Sequence, residues 1–320
     1  RPASMAFSDP LPPQPRLSLR DHADYVSLTM EFRCNLRCVH CMIEGTMDRL
    51  EAQPDAEFEA VLDEQRRNRR WKGLILTGSE ITLRKDLPHL ARRARAAGFE
   101  HVRIQTHGMA LGRPDYAERL LDAGVDEFFV SVAGSDKESH DRITAVNGAW
   151  DKMMAGLERL DQDPRARILT NTVVTRLSHP LLGDLVDALS HLKRLIQMEF
   201  WVFWPMSETD EKDLAARHAD ILPNLAAAIR RARALGRYVE VKNFPHCLLA
   251  REGLGDALVN DQPLLLIDPD FWKEFERNGF YQCVHREACG SEQCLGLNTA
   301  YISKFGWEAD SLLPLPKPRP

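Results

Sequence analysis

The stretch FRCNLRCVHC, residues 32–41, sets Cys34, Cys38 and Cys41 in a C-x3-C-x2-C spacing directly behind the apolar, β-branched run YVSLTMEF (25–32). A strand that ends in a tight loop can turn three sulfurs toward one point. Tetrahedral metal sites and cubane iron–sulfur clusters usually take four protein ligands, so three thiolates leave one position to be filled. A histidine such as His40 could complete a zinc site, whereas a cubane held at three irons keeps its fourth iron open for a non-protein ligand. Four more cysteines stand late in the chain, at 247, 283, 289 and 294, for an odd total of seven. Two groups and an odd count argue against a disulfide framework and for metal ligation in a reducing compartment.

Working outward, short apolar runs alternate with longer helical patterns. GLILT (73–77), HVRIQT (101–106), DEFFVSV (126–132), ARILTNTVVT (166–175) and QMEFWVF (197–203) read as further strands, separated by helices near 55–70, 86–98, 114–123, 148–161 and 180–192. A long amphipathic run near 211–235 completes a sixth strand–helix unit, with Leu222, Leu225, Ile229, Ala232 and Leu235 at core-packing spacing. Parallel strands need helical crossovers, so the pattern predicts an α/β fold with a parallel sheet, doubly wound or curved into a partial barrel. In either form, sites gather at the C-terminal strand ends, where the early cysteines fall. After YVEV (238–241) the alternation stops. The expected division is a proline-rich arm over 1–24, a barrel over 25–236 and an irregular C-terminal region over 237–320.

The 320 residues are 44% hydrophobic and 28% charged, the balance of a globular chain, and no apolar run reaches the roughly 18 residues that a membrane span needs. The N-terminus lacks the apolar core of a secretory signal, so a cytoplasmic location is expected. A net charge of −5 gives no general attraction for nucleic acid, and Arg66, Arg67, Arg69 and Arg70 read as a solvated helix face.

CNLRCVHC after the first strand, LTGSEITLRKDL (76–87) at the second, RIQTHG (103–108) at the third and FVSVAG (129–134) at the fourth together resemble the radical S-adenosylmethionine enzymes, over about residues 25–205. The resemblance implies a partial (β/α)6 TIM-like barrel in which Cys34, Cys38 and Cys41 hold a [4Fe–4S] cluster. Its open iron would chelate the amino and carboxylate groups of S-adenosylmethionine. One electron, from an external reductant such as flavodoxin or ferredoxin, would then release a 5′-deoxyadenosyl radical that abstracts a substrate hydrogen. Position by position, His40 takes the place of a ring packed near the adenine, and Gly78, Ser79 and Glu80 that of a Gly-Gly-Glu-Pro motif receiving the methionine amino group. Ser131 matches a ribose partner, Arg142 a carboxylate partner and Trp201 an apolar contact. Ser79 and Ile81 depart from that motif, and a serine forced to positive φ would cost about 1 kcal/mol.

The four late cysteines, with 35, 5 and 4 residues between them, can close a second [4Fe–4S] cluster or a structural zinc. They resemble the Twitch and SPASM auxiliary-cluster extensions of that family, Twitch the more nearly. Such a cluster could accept an electron from a substrate radical while a base takes its proton. The base candidates are Glu199, His107 and Lys242, the last read first as a structural ion pair. Trp201, Phe203 and Trp204 suggest an apolar wall, a role aromatic residues share with plain core packing. The expected substrate is a small metabolite oxidised or remodelled at an unactivated C–H, with a precursor peptide as the alternative and a non-catalytic iron–sulfur or zinc protein as a third reading. Only about 24 residues precede the first strand, so a peptide leader would be expected to bind a separate protein.

Overall fold

The computed structural model describes residues 22–43 and 49–317; residues 1–21 of the expected arm lie outside the described residues. Eight strands form one all-parallel sheet in the order β7-β6-β5-β4-β3-β2-β1-β8. In chain order the elements are β1 (Tyr25–Glu31), α1 (Asp55–Asn68), β2 (Gly73–Gly78), α2 (Leu87–Ala97), β3 (His101–Thr106), α3 (Tyr116–Asp122) and β4 (Glu127–Ser131). Then follow α4 (Lys137–Thr144), α5 (Ala149–Gln162), β5 (Arg167–Val174), α6 (Leu182–Ala188), β6 (Leu195–Val202) and α7 (His218–Ala234). The chain closes with β7 (Tyr238–Lys242), α8 (His246–Arg251), β8 (Leu264–Leu266), α9 (Pro269–Glu276) and α10 (Thr299–Phe305).

Side-chain alternation decides which face of each strand meets the helices. Val26, Leu28 and Met30 on β1, Leu74 and Leu76 on β2, Val102 and Ile104 on β3, and Phe128 and Val130 on β4 join Phe58, Leu62, Leu90 and Leu157 of the helices in one core. The opposite face carries most of the strands' polar side chains, together with the apolar Ile75, Phe129 and Leu169. It carries Tyr25, Arg103, Glu127 and Arg167 at one level, then Gln197 and Glu199, then Thr77, Gln105, Ser131, Asn171 and Trp201 toward the C-terminal strand ends.

Contacts across this face show that the sheet is curled. A flat sheet spaces strands about 4.8 Å apart, which would put β1 and β7, six steps apart, roughly 29 Å from each other. Yet His22 Nε2, just before β1, lies 3.5 Å from Glu240 Oε2 on β7, and the Tyr25 hydroxyl on β1 donates to Glu127 on β4 at 3.1 Å. The expected partial barrel is therefore observed.

Its wall is longer than the six expected strands. β7 pairs with β6 and β8 pairs with β1, so the sheet runs across the 236/237 boundary expected from the sequence. The segment between them also belongs to the wall: Val259 donates its amide to Val241 O at 3.0 Å, and Leu258 bridges Val241 in parallel. What reads as irregular sequence after Val241 thus completes the barrel before it supplies the late cysteines. No helix among the described residues is long and apolar enough to cross a membrane.

Glu127 holds the floor of the barrel together. Its carboxylate meets Arg103 at 2.5 Å and Arg167 at 3.1 Å in addition to Tyr25, while Arg103 is wholly buried. Removing one member strands a buried charge. Glu127→Ala is expected to lower folding stability by about 3–5 kcal/mol in urea denaturation, because Arg103 keeps its charge without its partner. A loss under about 1 kcal/mol contradicts this role.

Candidate active site

A cavity of about 400 Å³ opens at the C-terminal ends of the strands, and Cys34, Cys38, His40 and Cys41 line it together with Gly78, Ser79, Ser131 and Trp201. The structure therefore gathers most of the residues singled out in the sequence into one place. Gln105, Asn171, Asn243 and Phe129 line it as well. Gln105, Phe129 and Asn171 are inward-facing strand positions, so strand alternation was the signal that could have found them, whereas Asn243 follows β7 at a positive φ that alternation does not anticipate.

The cysteine loop has little regular structure of its own and borrows its hydrogen bonds. Arg37 and Val39 donate their amides to Thr144 O and Ile143 O at 3.1 and 2.9 Å. The last carbonyls of a helix have no partner inside it; here the end of α4 finds them in the cysteine loop. At the other end of α4, Asp136 and Ser139 form a capping box. Leu36, buried between the cysteines, donates its amide to Cys34 Sγ at 3.4 Å.

Gly78 is fixed by close approach. A Cβ there would meet Glu31 O at 1.9 Å, and the following amide, of Ser79, donates to that same carbonyl at 2.8 Å. Ser79 is not among the residues at positive φ, so the serine stands without the backbone cost anticipated for it. Ile81 is buried at the start of a short turn, Ile81–Leu83, that Glu80 caps.

Glu80 is fully buried and is absent from the cavity lining. One of its oxygens accepts from Thr82 N at 3.0 Å and Thr106 Oγ1 at 2.7 Å, and the other from His107 N at 2.8 Å. Its carboxylate ties β2 to β3 and stands within 3.1 Å of His107 Nε2. That imidazole also bridges to Asn35 Oδ1 at 2.7 Å, next to Cys34. His107 Nδ1 accepts the amide of Met109 at 3.2 Å, so the ring proton sits on Nε2 and no lone pair is left for a base. Burial holds its pKa below the ordinary histidine value. The expectation of His107 as a base gives way to a strut between β3 and the cysteine loop.

Glu199 does face inward, but it lies beneath the cavity rather than in its lining. Its oxygens accept Gln197 Nε2 at 2.9 Å and Trp201 Nε1 at 2.7 Å, so it orients the Trp201 indole. Lys242 is an ion pair with Glu240 at 3.1 Å and donates to Val259 O at 2.5 Å. Arg142 is exposed on α4 and does not join the cavity. Ser131 opens into the cavity, and Trp201 packs at 6.4 Å from Phe129 across it. Phe203 and Trp204 line it too.

His40 lines the cavity with its Nδ1 buried and unpartnered, and burial lowers its pKa to about 4. A neutral ring with a free nitrogen suits contact with an uncharged base edge. Cys34 is pushed up by burial, an effect the Leu36 amide opposes. Three thiols in one loop with an amide on sulfur, beside a cavity with an orphaned ring nitrogen, fit a three-cysteine cluster and its ligand.

The late cysteines converge on the flank of the barrel. Cys247 lies on α8, and burial raises its pKa with further contributions from Cys294 and Cys283. Cys294 is raised by burial and by Cys283 and Cys289. Amides of His285, Gly296 and Leu315 donate to the sulfurs of Cys283, Cys294 and Cys289, each at 3.4 Å. Cys247 and Cys294 each sense Cys283, and Cys294 also senses Cys289, although among the described residues no three metal-ligating side chains stand close enough together to hold an ion as they are placed.

Residues 30–176 match the family model described as the Radical SAM superfamily. Among curated proteins the chain is 31% identical over 144 residues to the Fe-coproporphyrin III synthase of Methanosarcina barkeri, covering 45% of this chain and 35% of that protein. It is 30% identical over 170 residues to a probable GTP 3′,8-cyclase of Methanopyrus kandleri, covering 53% and 54%. The chain thus spans about a third to a half of these relatives. Among solved structures, Streptococcus suis SuiB bound to its precursor peptide SuiA shares the fold with a TM-score of 0.57 at 16% identity, over 71% of this chain and 50% of that one.

His140 lies behind the cavity wall. It is buried against Trp150, accepts the Ala133 amide at 3.2 Å through Nδ1, and has its pKa lowered from 6.5 to about 4 mainly by burial. The unfolded chain binds this proton below about pH 6.5 and the folded chain does not until about pH 4, so stability falls as pH drops through that window, by up to about 3 kcal/mol for this group. His140→Asn keeps an acceptor for Ala133. It is expected to reduce the loss of urea stability between pH 7 and pH 4.5 relative to the unaltered protein; an identical loss contradicts the assignment.

Proposed function

Starting from a chain whose residues 30–176 are a radical SAM domain, we propose an enzyme that generates a radical from S-adenosylmethionine and takes a hydrogen atom from an unactivated C–H of a small organic metabolite. The single observation that carries this reading is the convergence of Cys34, Cys38 and Cys41 with Gly78, Ser79, His40, Ser131 and Trp201 on one cavity at the strand ends. Cys34, Cys38 and Cys41 would hold a [4Fe–4S] cluster with one open iron. When bound, the cluster and S-adenosylmethionine supply the electron and the 5′-deoxyadenosyl group for hydrogen abstraction.

The chain's own residues set where this happens. The α4 carbonyls and the Glu80–His107–Asn35 series fix the cysteine loop. Gly78 lets that edge of β2 lie against β1, leaving backbone groups near Ser79 for the methionine amino group. His40 offers the adenine a neutral partner, Ser131 the ribose a hydroxyl, and Trp201, oriented by Glu199, an apolar face. Phe129, Phe203 and Trp204 exclude water from the radical's path.

We assign Cys247, Cys283, Cys289 and Cys294 to a second [4Fe–4S] cluster, in a C-terminal region that receives the electron when the substrate is oxidised. With four thiol ligands no iron is left open, which suits electron transfer over substrate ligation. A small substrate is favoured because the relatives with about 30% identity are named for reactions on a porphyrin and on GTP, whereas the likeness to SuiB is one of fold.

Anaerobic reconstitution followed by dithionite should yield 5′-deoxyadenosine from S-adenosylmethionine, and Cys34→Ala should abolish it. Cys283→Ala should keep that cleavage while lowering the iron content from about eight to about four per chain. No nucleoside product from fully loaded protein sinks the proposal, and four iron with one zinc in the unaltered protein makes the late centre structural.

A further inference from the structure

The cavity at the strand ends is electrostatically one-sided. No aspartate, glutamate or lysine is among the described residues that line it, and Arg37 is its one arginine. Glu80 and Glu199 stay outside the lining, with their oxygens accepting from Thr82, Thr106, His107, Gln197 and Trp201. Arg37 stands exposed between Cys34 and Cys38, its amide donating to Thr144 O at 3.1 Å. Its guanidinium makes no hydrogen bond or ion pair among the described residues. On α4, whose end this loop covers, Asp141 accepts the amides of Gly148 and Trp150 at 2.6 and 2.8 Å with its two oxygens. Exposed arginines without partners occur elsewhere on the surface; the place of this one on the cavity lining is what gives it a ligand to meet.

The uncharged lining is weighted toward donors as well. Gln105 uses its carbonyl oxygen to accept the Thr77 hydroxyl at 2.6 Å, which leaves its N–H groups for a ligand. Trp204 is 4% exposed, and its Nε1 has no hydrogen-bond partner among the described residues. Phe280, stacked on that indole at 5.2 Å, and Phe275 at 6.3 Å hold it from outside the cavity. A neutral or cationic ligand that displaced water here would leave the guanidinium without a counter-charge. An anion would satisfy it through paired, charge-assisted hydrogen bonds.

We propose that the substrate is an organic anion, with an apolar body held against Trp201, Phe203 and Trp204 and a carboxylate or phosphate that pairs with Arg37. The inference rests on the radical reading above and names the substrate class of that site. S-adenosylmethionine brings a carboxylate too, but in that reading the open iron takes it, so the guanidinium is left for the second ligand.

The test is calorimetric titration of the reconstituted protein, saturated with S-adenosylmethionine, with four probes of one shape: 2-naphthylacetate, 2-naphthyl phosphate, the neutral 2-naphthylacetamide and the cationic 2-naphthylmethylamine. At least one anion is expected to bind about tenfold or more tightly than the amide, and the tighter of the two names the charged group. Arg37→Glu at matched iron content is expected to invert the order, so that the amine binds more tightly than either anion, while Arg37→Lys keeps the preference for anions. Equal affinity for anions and amide in the unaltered protein, no binding of either anion, or an anion preference that survives Arg37→Glu overturns the proposal. So does an anion preference that disappears when S-adenosylmethionine is bound, because Arg37 then serves the cofactor's carboxylate. The comparison within the unaltered protein decides the matter even where a variant does not load its iron. Formation of 5′-deoxyadenosine with dithionite and no probe tests the radical reading separately; its absence sinks that reading, and the titrations, run without S-adenosylmethionine, still decide whether Arg37 selects anions.

Discussion

The cysteine loop depends on hydrogen bonds that other elements would otherwise leave unmade. A segment carrying three thiols over eight residues cannot also bury much apolar surface, and Leu36 is its one deep anchor. Its position comes from groups with few alternatives: the terminal carbonyls of α4, the Glu31 carbonyl that Gly78 alone can approach, and a buried carboxylate that must be satisfied. Glu80 connects these. With its oxygens accepting from Thr82, Thr106 and His107, its desolvation is offset, and through His107 it reaches Asn35 beside the first cysteine. Geometry at the site is therefore set one layer beneath the residues that line it.

The same layering extends down the barrel. Many inward-facing positions are polar, and the buried charges named above are paired: Arg103 with Glu127 at the floor, Lys242 with Glu240 midway. Aromatic and amide groups occupy the mouth, where a ligand would replace water as their partner. A polar interior of this kind is stiff because its members lose more by moving than apolar side chains would.

Much of this was legible in the sequence. The first six strands announce themselves by β-branched runs between helices, and the thiol spacing marks the site, because a cluster needs sulfurs from one tight loop. The seventh strand was visible as YVEV without its place in the sheet. The eighth was not: Leu264–Leu266 is a three-residue edge strand whose pairing with β1 is a backbone matter with no periodicity to read. Roles within the site divide the same way. The places of Gly78, Ser131 and Trp201 at the cavity were expected from the resemblance of their motifs. That His107 and Glu199 have their polar atoms engaged by Met109, Asn35, Gln197 and Trp201 depends on tertiary neighbours, as does the outward direction of Arg142.

The central claim is that the early cluster keeps one iron open for S-adenosylmethionine. The direct measurement is electron–nuclear double resonance on the reduced cluster of a Cys283→Ser, Cys289→Ser protein, with S-adenosylmethionine labelled with nitrogen-15 at its amino group. A nitrogen-15 hyperfine coupling of a directly bound ligand is predicted; a fully reduced cluster saturated with labelled S-adenosylmethionine but showing no such coupling would contradict the account.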